Sequence, residues 1–315
     1  MNIKTARTGG LALLAIIIAM APIGFTNTYF YDVGVNAMFN AIVCVGLNLL
    51  IGYAGQISLG HAGFFALGAY GSAILTSTYG LPPLAAMLLS AAVVGLLAFV
   101  VGRPILKLKG HYLAMATLGI GIIINIVLKT ESKITGGPDG MSLGNFSVLG
   151  FSIVGDRMWY WTAGVLLVLT VWLALNLIDS PVGRALRAVH GSEVGAEVVG
   201  VDTSSYKVLV FVVSAVFASI VGSLFAHKNG FITPDIAGFF HSVELVTMVV
   251  LGGMASTFGA LIGAVILTLL PQVLAAVEQY EAMILGAIMM GTMIFMPKGL
   301  LPSIVASVKR LGGGR

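Results

Sequence analysis

Charged residues are scarce in this chain. Only 9% of its 315 residues are Asp, Glu, Lys or Arg, whereas 58% are hydrophobic. Soluble globular domains carry about 25% charged residues, so the composition excludes a soluble domain. The apolar runs are long enough to cross a bilayer as helices, and the sequence therefore predicts an integral membrane protein.

Cysteine and nucleotide-binding motifs are also lacking. The single Cys44 has no partner for a disulfide or for a Cys-based metal site. No GxxxxGK[ST] loop occurs, nor even a Gly-Lys pair, so this chain cannot hold a nucleotide in the P-loop manner. We predict no catalytic residue, no metal and no cofactor on this chain; any ATP and Mg²⁺ that drive it are bound by other subunits.

The apolar runs predict an all-α fold with about ten transmembrane helices, since a span needs about 20 apolar residues and the alternation of β-barrel strands is missing. The predicted spans are residues 11–30, 36–52, 60–77, 81–102, 112–128, 158–177, 208–226, 242–252, 258–275 and 283–296. The first also contains AMA at residues 19–21, which would suit a signal cleavage site, but we favour a retained span. No long hydrophilic stretch follows, so we predict one membrane domain over residues 1–315.

The basic residues are unevenly distributed among the polar intervals. With the N-terminus in the cytoplasm, the 16 Lys and Arg residues divide into twelve inside and four outside. The inner set is Lys4, Arg7, Arg103, Lys107, Lys109, Arg184, Arg187, Lys207, Lys298, Lys309, Arg310 and Arg315; the outer set is Lys129, Lys133, Arg157 and Lys228. This positive-inside bias predicts that both termini are cytoplasmic, with residues 297–315 as a tail. The net charge of +4 thus reflects lipid contact and does not indicate nucleic-acid binding.

Two glycine-rich breaks interrupt the apolar runs. The first lies within GYAGQISLGHAGFFALGAYG at residues 52–71, and the second is GGMASTFG at residues 252–259. Broken helices are tolerated in lipid only where protein or a water-filled cavity covers the backbone. Paired breaks indicate the path of a transporter, so we predict discontinuous helices at mid-depth in the membrane.

The breaks supply polar groups that a zwitterionic substrate would need in a path, because a charge at the bilayer centre costs roughly 2.5 to 3.5 kcal/mol. The candidate path residues are Gln56, Ser58, His61, Gly252, Gly253, Ser256 and Glu244. For His61 the alternative is a hydrogen-bonded structural histidine, and for Glu244 a side chain that reaches outward. Three amides inside predicted spans favour interhelical bonding over substrate contact: Asn40, Asn48 and Asn125.

The polar interval at residues 178–207 contains the pattern of a short helix. Ser192 is placed to cap its N-terminus and Gly200 to end it. Glu193 and Glu197 are one helical turn apart between them. We therefore predict a short capped helix in an inner loop.

This predicted helix has an apolar side that suits docking to a partner protein, formed by Val194, Val198 and Val199. The alternative is a solvated connection between two spans, with Arg184 and Arg187 anchored by lipid headgroups. The residues alone do not decide between these two interpretations.

Several motifs together resemble one transporter family. They are the block at residues 52–71, GRALRAV at 183–189, EVGAEVVG at 193–200, VVLGGMAS at 249–256 and GALIG at 259–263. In this order they are similar to the branched-chain amino acid ABC transporter permeases, in particular the LivM-type subunit. The resemblance covers residues 36–302, nearly the whole chain.

This resemblance implies a permease subunit of the bacterial inner membrane with a many-span fold. It implies a second homologous permease, two cytoplasmic ATPase subunits that bind ATP and Mg²⁺, and an extracytoplasmic amino-acid-binding protein. It also implies that residues 178–207 form a coupling loop on an ATPase, with Arg184, Arg187, Glu193, Glu197 and Gly200 as the coupling residues. Three alternatives stay open: an ABC permease for urea or short-chain amides, an ion-coupled carrier or channel that works without ATPases, and a purely structural membrane subunit.

Overall fold

The computed structural model describes residues 3–24, 27–148, 151–274, 281–295 and 299–304, and most of them are helical. The helices are α1 (Ile3–Gly24), α2 (Thr28–Asn48), α3 (His61–Ser77), α4 (Pro83–Ile105), α5 (His111–Thr130), α6 (Ser132–Thr135), α7 (Asp156–Asp179), α8 (Pro181–Gly191), α9 (Glu193–Val198), α10 (Thr203–Asn229), α11 (Phe239–Gly252), α12 (Thr257–Leu274) and α13 (Glu281–Phe295). A π-helical turn, Leu49–Tyr53, continues α2, and short 3₁₀ turns lie at Gly137–Asp139 and Pro234–Ala237. Two-residue strands form two antiparallel pairs, Met141–Ser142 with Phe231–Ile232 and Ser147–Val148 with Phe151–Ser152.

Seven helical segments in the described part of the chain are long and apolar enough to cross a membrane: Arg7–Gly24, Thr28–Tyr53, Pro83–Ile105, His111–Thr130, Asp156–Asp179, Thr203–Asn229 and Thr257–Leu274. Each of the ten predicted spans lies on a helix. However, α3, α11 and α13 have 17, 14 and 15 residues, fewer than the about 20 of a full span. The number of ten full spans is therefore not confirmed. The end predicted for the first span, residue 30, is wrong because α1 ends at Gly24 and α2 begins at Thr28.

The second helix forms the centre of the bundle. In an apolar stretch of 18 residues within Thr28–Tyr53, 83% of the residues are buried, compared with 6% of the 18 residues Arg7–Gly24 of α1. The second helix packs against α7, α10, α11 and α12, which accounts for this burial. Its amides join it to the neighbours: Asn40 donates to Thr268 Oγ1 at 3.0 Å, and Asn48 Oδ1 accepts from the Ala255 N–H at 3.0 Å. Asn125 donates to Pro234 O at 2.8 Å. Of the three amides, Asn40 makes the predicted interhelical bond, whereas Asn48 and Asn125 bond to backbone groups of connecting segments.

Close approach of α3 and α10 depends on glycine. A Cβ added to Gly222 would lie 1.9 Å from the Phe65 carbonyl oxygen, and one added to Gly68 would lie 2.1 Å from that of Ser219. Only hydrogen fits there, and small residues at such contacts are the usual means of close helix packing in membranes. A Cβ added at five further glycines would also lie within 3 Å of a neighbouring atom: Gly60, Gly63, Gly71, Gly259 and Gly263.

The bundle has two ends that differ in charge. We call the end that carries α8 and α9 the coupling end; Arg7 of α1 reaches it, where it pairs with Asp179. The described basic residues at this end are Arg7, Arg103, Lys107, Lys109, Arg184, Arg187 and Lys207, and those at the opposite end are Lys129, Lys133, Arg157 and Lys228. Of the predicted tail, residues 297–298 and 305–315 lie outside the described residues, as do Lys298, Lys309, Arg310 and Arg315.

Candidate translocation and coupling sites

The first break leads from the coupling end to the middle of the bundle. The π-helical turn after α2 ends at Tyr53, and α3 begins only at His61. His61 Nε2 lies 2.7 Å from Ser214 Oγ, near the middle of α10. Because α3 starts at that depth and continues to the opposite end, it is a half-helix, as the break in the sequence predicted.

Ser58, His61 and Ser214 form a buried hydrogen-bonded group. Ser58 Oγ lies 2.9 Å from His61 Nδ1, while Nε2 bonds to Ser214. All three side chains are at most 1% exposed. In this conformation both ring nitrogens are engaged within the protein, as in a structural histidine, and a substrate would reach them only after these bonds open.

A second half-helix starts beside the first. The Ala62 N–H of α3 donates to Ser242 Oγ of α11 at 3.2 Å, and the rings of Phe65 and His241 lie 5.4 Å apart. From this level α3 continues to the opposite end, whereas α11 continues to the coupling end. The N-cap of α11 is Gly238, which provides no side-chain bond to its first-turn N–H groups. Such N–H groups favour a negative charge near the helix start.

The second break lies near the coupling end and not at mid-depth, so the depth predicted for it is wrong. A Cβ on Gly52, close to the end of the π-helical turn, would meet Ala255 N at 2.2 Å. Gly253 has φ 122° and Ala255 φ 59°, which makes a tight turn between α11 and α12. Gly252 packs directly on Gly259, and Ser256 Oγ accepts from the Gly259 N–H at 3.1 Å. The predicted path residues Gly252, Gly253 and Ser256 thus build this turn.

The remaining path candidates lie apart from these groups. Glu244 is on the second turn of α11, partly exposed, with Oε2 3.6 Å from His241 Nδ1. Gln56 is buried near the coupling end, where its amide donates to Ala54 O at 3.0 Å and to Glu193 Oε1 at 3.3 Å. The structure therefore does not gather the predicted path residues into one site: among their side chains in the described part of the chain, only those of Ser58 and His61 are bonded to each other.

The short helix predicted between Ser192 and Gly200 is confirmed as α9. Ser192 Oγ accepts from the Gly195 N–H at 3.0 Å and caps the N-terminus. Gly200 has φ 83°, and the Gly200 and Val201 N–H groups bond to Glu197 O at 2.9 Å and Ala196 O at 3.0 Å. This is a Schellman ending, in which glycine takes the left-handed conformation without a Cβ penalty.

The arginines of α8 and Glu197 fasten the segment to the bundle. Arg184 Nη1 donates to Asp179 O at 3.4 Å, and Arg187 Nη1 donates to Ile178 O at 3.2 Å. Both acceptors are at the end of α7, where cations stabilise the helix. Glu197 accepts from Thr203 Oγ1 at 2.8 Å. The exposed apolar residues of the segment are Val194, Val198 and Val199, and they form what we call the valine patch.

Glu193 is the ionic centre of the coupling end. Its Oε1 pairs with Lys207 of α10 and accepts from Gln56, and its Oε2 lies 3.5 Å from Lys109 Nζ. Burial raises the pKa of the Glu193 carboxyl, but the hydrogen bond and charge of Lys207, with Lys109 and Gln56, outweigh it and hold the pKa below its ordinary value. The carboxylate therefore stays charged and links α9, α10 and the first break.

The role of the two lysines that surround Glu193 was not predicted from the sequence. Lys207 and Lys109 were identified there only as inner positive charges. A signal was present in Lys207, a basic residue at the start of a predicted span in the same interval as Glu193. Its side chain is only 4% exposed, and a buried lysine requires an anionic partner.

Comparison with known proteins assigns the family. The profile of the family described as "Branched-chain amino acid transport system / permease component" matches residues 29–293. The high-affinity branched-chain amino acid transport system permease proteins LivM of Salmonella typhimurium and Escherichia coli are 34% and 33% identical over 312 residues, covering 90% of this chain and 72% of each relative. The permease protein LivH of the Escherichia coli system is 26% identical over 284 residues, covering 83% of this chain and 90% of LivH. No solved structure matches. With the family profile spanning most of its length, this chain belongs to the family of branched-chain amino acid transport system permease components.

Proposed function

We propose that this chain is a transmembrane permease subunit of an ATP-driven importer for the branched-chain amino acids Leu, Ile and Val. The observation that carries the proposal is the LivM similarity over 90% of the chain, together with a capped helix that presents the valine patch at the coupling end. The chain performs no covalent chemistry in this role.

The proposed assembly contains a second permease, two cytoplasmic ATPases and an extracytoplasmic amino-acid-binding protein in the bacterial inner membrane. LivH, a second permease named for the same transport system, also matches this chain, which supports a pair of similar subunits. The concentration of basic residues at the coupling end supports a cytoplasmic location for residues 178–207 and for the start of α1. The ATPases supply ATP and Mg²⁺ binding.

In the proposed mechanism, an ATPase seats the valine patch in a cleft and moves α9 when ATP is bound and hydrolysed. Glu193 passes this displacement to α10 through Lys207 and to the first break through Gln56. Rigid-body motion of the bundle then switches access from one side of the membrane to the other. ATP shifts the equilibrium between the two access states of the transporter only to the extent that its affinity differs between them.

The proposal is tested with the assembled transporter in liposomes that contain ATP, together with the binding protein. Uptake of labelled leucine that requires ATP supports it, and Gly200→Ala or Glu197→Ala should reduce both ATPase association and uptake. Uptake that persists without ATPases would favour an ion-coupled carrier or channel. ATP-dependent uptake of labelled urea or acetamide, without uptake of labelled leucine, would favour an amide permease.

A further inference from the structure

A cavity of about 370 Å³ lies in the half of the bundle opposite the coupling end. Helices α2, α3, α10 and α11 and the connection before α11 surround it; the lining residues are Asn36, Phe39, Asn40, Phe65, Phe225, Thr233, Asp235, Ile236 and His241. Its volume falls within the about 300 to 1,000 Å³ of small-molecule sites. None of the path residues predicted from the breaks lines it.

The lining of the cavity combines apolar and polar side chains. Phe39, Phe65 and Phe225 come from three different helices and supply aromatic surface. Thr233, Asp235 and His241 supply hydroxyl, carboxylate and imidazole groups. A molecule that fits must therefore be amphipathic, with a compact hydrocarbon portion and a polar portion that can meet both a carboxylate and hydrogen-bond donors.

The charged groups favour a zwitterion for the polar portion. The side chain of Asp235 is 79% exposed, which places it at the mouth of the cavity. Lys129 Nζ lies 3.1 Å from its Oδ1, so the ammonium group of a ligand would bind Oδ2. At the inner side, His241 belongs to the first turn of α11, where the uncapped N–H groups favour a carboxylate. Lys228 fixes Asn36 through a 2.9 Å bond to Oδ1, so this part of the lining is held in place.

A buried hydrogen-bonded group lies between the cavity and the coupling end along α3. Phe65, which lines the cavity, lies one helical turn beyond His61 on α3, and the bonds of Ser58, His61 and Ser214 lie on the coupling side of it. A ligand that moves along α3 from the cavity toward the coupling end would therefore meet these bonds, and they would have to open for it to pass.

We propose that this cavity is a binding site for a branched-chain L-amino acid in transit, with the aliphatic side chain against the three phenylalanines and the zwitterionic group between Asp235 and His241. The site rests on the proposed import function and adds its location within this subunit. The occupant is the free amino acid after release by the binding protein.

The test is substrate protection of introduced cysteines in the assembled transporter. Cys44 is buried and is replaced by Ala, and single cysteines are introduced by Thr233→Cys or Ile236→Cys in the cavity. The matched control is Phe240→Cys, two residues beyond the α11 N-cap, 85% exposed and not part of the lining. The rate of labelling by a charged methanethiosulfonate reagent is measured with and without leucine, and the binding protein is present in both measurements.

At a leucine concentration about ten times the dissociation constant of the site, mass action leaves about one-tenth of the sites empty, so labelling at residue 233 or 236 should slow about tenfold. Labelling at residue 240 should not change. Equal rates with and without leucine at both cavity positions, in vesicles that take up leucine, would overturn the site and leave the import function standing. Absence of ATP-dependent leucine uptake in the parent transporter would instead overturn the import function, and the site with it.

Discussion

The Gln56 amide donates to the Glu193 carboxylate, with 3.3 Å between Nε2 and Oε1. This bond joins the first helix break to α9, although the sequence assigned the two residues to different roles, the substrate path and the coupling segment. The same carboxylate pairs with Lys207 at the start of α10. One side chain therefore connects the proposed docking helix to α10 and to the first break, the two elements to which the proposed mechanism passes the displacement of α9.

Replacing Glu193 by Gln should destabilise the protein, because Lys207 would keep its charge in a buried position without an anionic partner. Removal of one partner from a buried ion pair costs about 3 to 5 kcal/mol, and the partial exposure of Glu193 places the expected loss near about 3 kcal/mol. Thermal unfolding of the purified protein in detergent measures it. Glu197→Gln, which weakens one part-buried hydrogen bond to Thr203, is the control with an expected loss of about 1 kcal/mol. Equal losses in the two variants would contradict a special role for Glu193.

The pH dependence of stability should report the same ion pair. The folded pKa of Glu193 lies below its ordinary value of 4.5, so the unfolded chain takes up the proton first as the pH falls. The contribution of the ion pair is fully present above about pH 4.5 and is lost as the pH falls through the lower folded pKa. The difference in melting temperature between the wild type and Glu193→Gln should be constant near neutral pH and shrink in acid. A difference that survives unchanged at about pH 3 would exclude this carboxylate as its source.

Gly200→Ala should weaken α9 at its C-terminal end. Its φ of 83° is a left-handed conformation, and an Ala there costs about 1 to 2 kcal/mol. A Cβ at residue 200 would touch nothing within 4 Å, so the effect comes from the backbone alone. The yield of ATPase that co-purifies with the permease should fall. Gly191→Ala is the control, because residue 191 is helical and a Cβ there would also meet nothing within 4 Å; this variant should retain the ATPase. The yield of ATPase should fall less in Gly200→Asn than in Gly200→Ala, because Asn tolerates the left-handed conformation.

Gly222→Ala should separate α3 from α10. The new Cβ would overlap the Phe65 carbonyl oxygen, and the backbone shift that relieves such overpacking costs about 1 to 3 kcal/mol. Because α3 carries His61 and Phe65, leucine uptake should fall together with the melting temperature. Gly119→Ala on α5, where nothing lies within 4 Å, is the matched control and should leave both unchanged. Normal uptake and stability in Gly222→Ala would show that this contact is not needed.

Local chemistry made parts of the structure predictable from the sequence. Ser192 and Gly200 bound α9 because capping depends on residues only a few positions apart. The interhelical bond of Asn40 was also predicted correctly, since a buried amide inside an apolar bundle needs a partner on a neighbouring helix.

Three-dimensional placement could not be predicted in the same way. A break in an apolar run shows that a helix is interrupted but not at what depth, and the second break is set near the coupling end by the contact between Asn48 and Ala255. The partners of Glu193 depend on how α10 and the first break pack around α9. The cavity gathers residues from distant segments, and none of its phenylalanines differs in sequence context from an ordinary lipid-facing residue.

The most direct test of the account is photo-crosslinking from the valine patch in transport-competent vesicles. A photoreactive amino acid at residue 198, where Val198 is 82% exposed, should crosslink to an ATPase subunit, and nucleotide binding should change the yield. The same group at residue 154, an exposed valine at the opposite end of the bundle, should crosslink to no ATPase. An ATPase adduct from residue 154, or none from residue 198 while ATP-dependent leucine uptake continues, would contradict the coupling role assigned to α9.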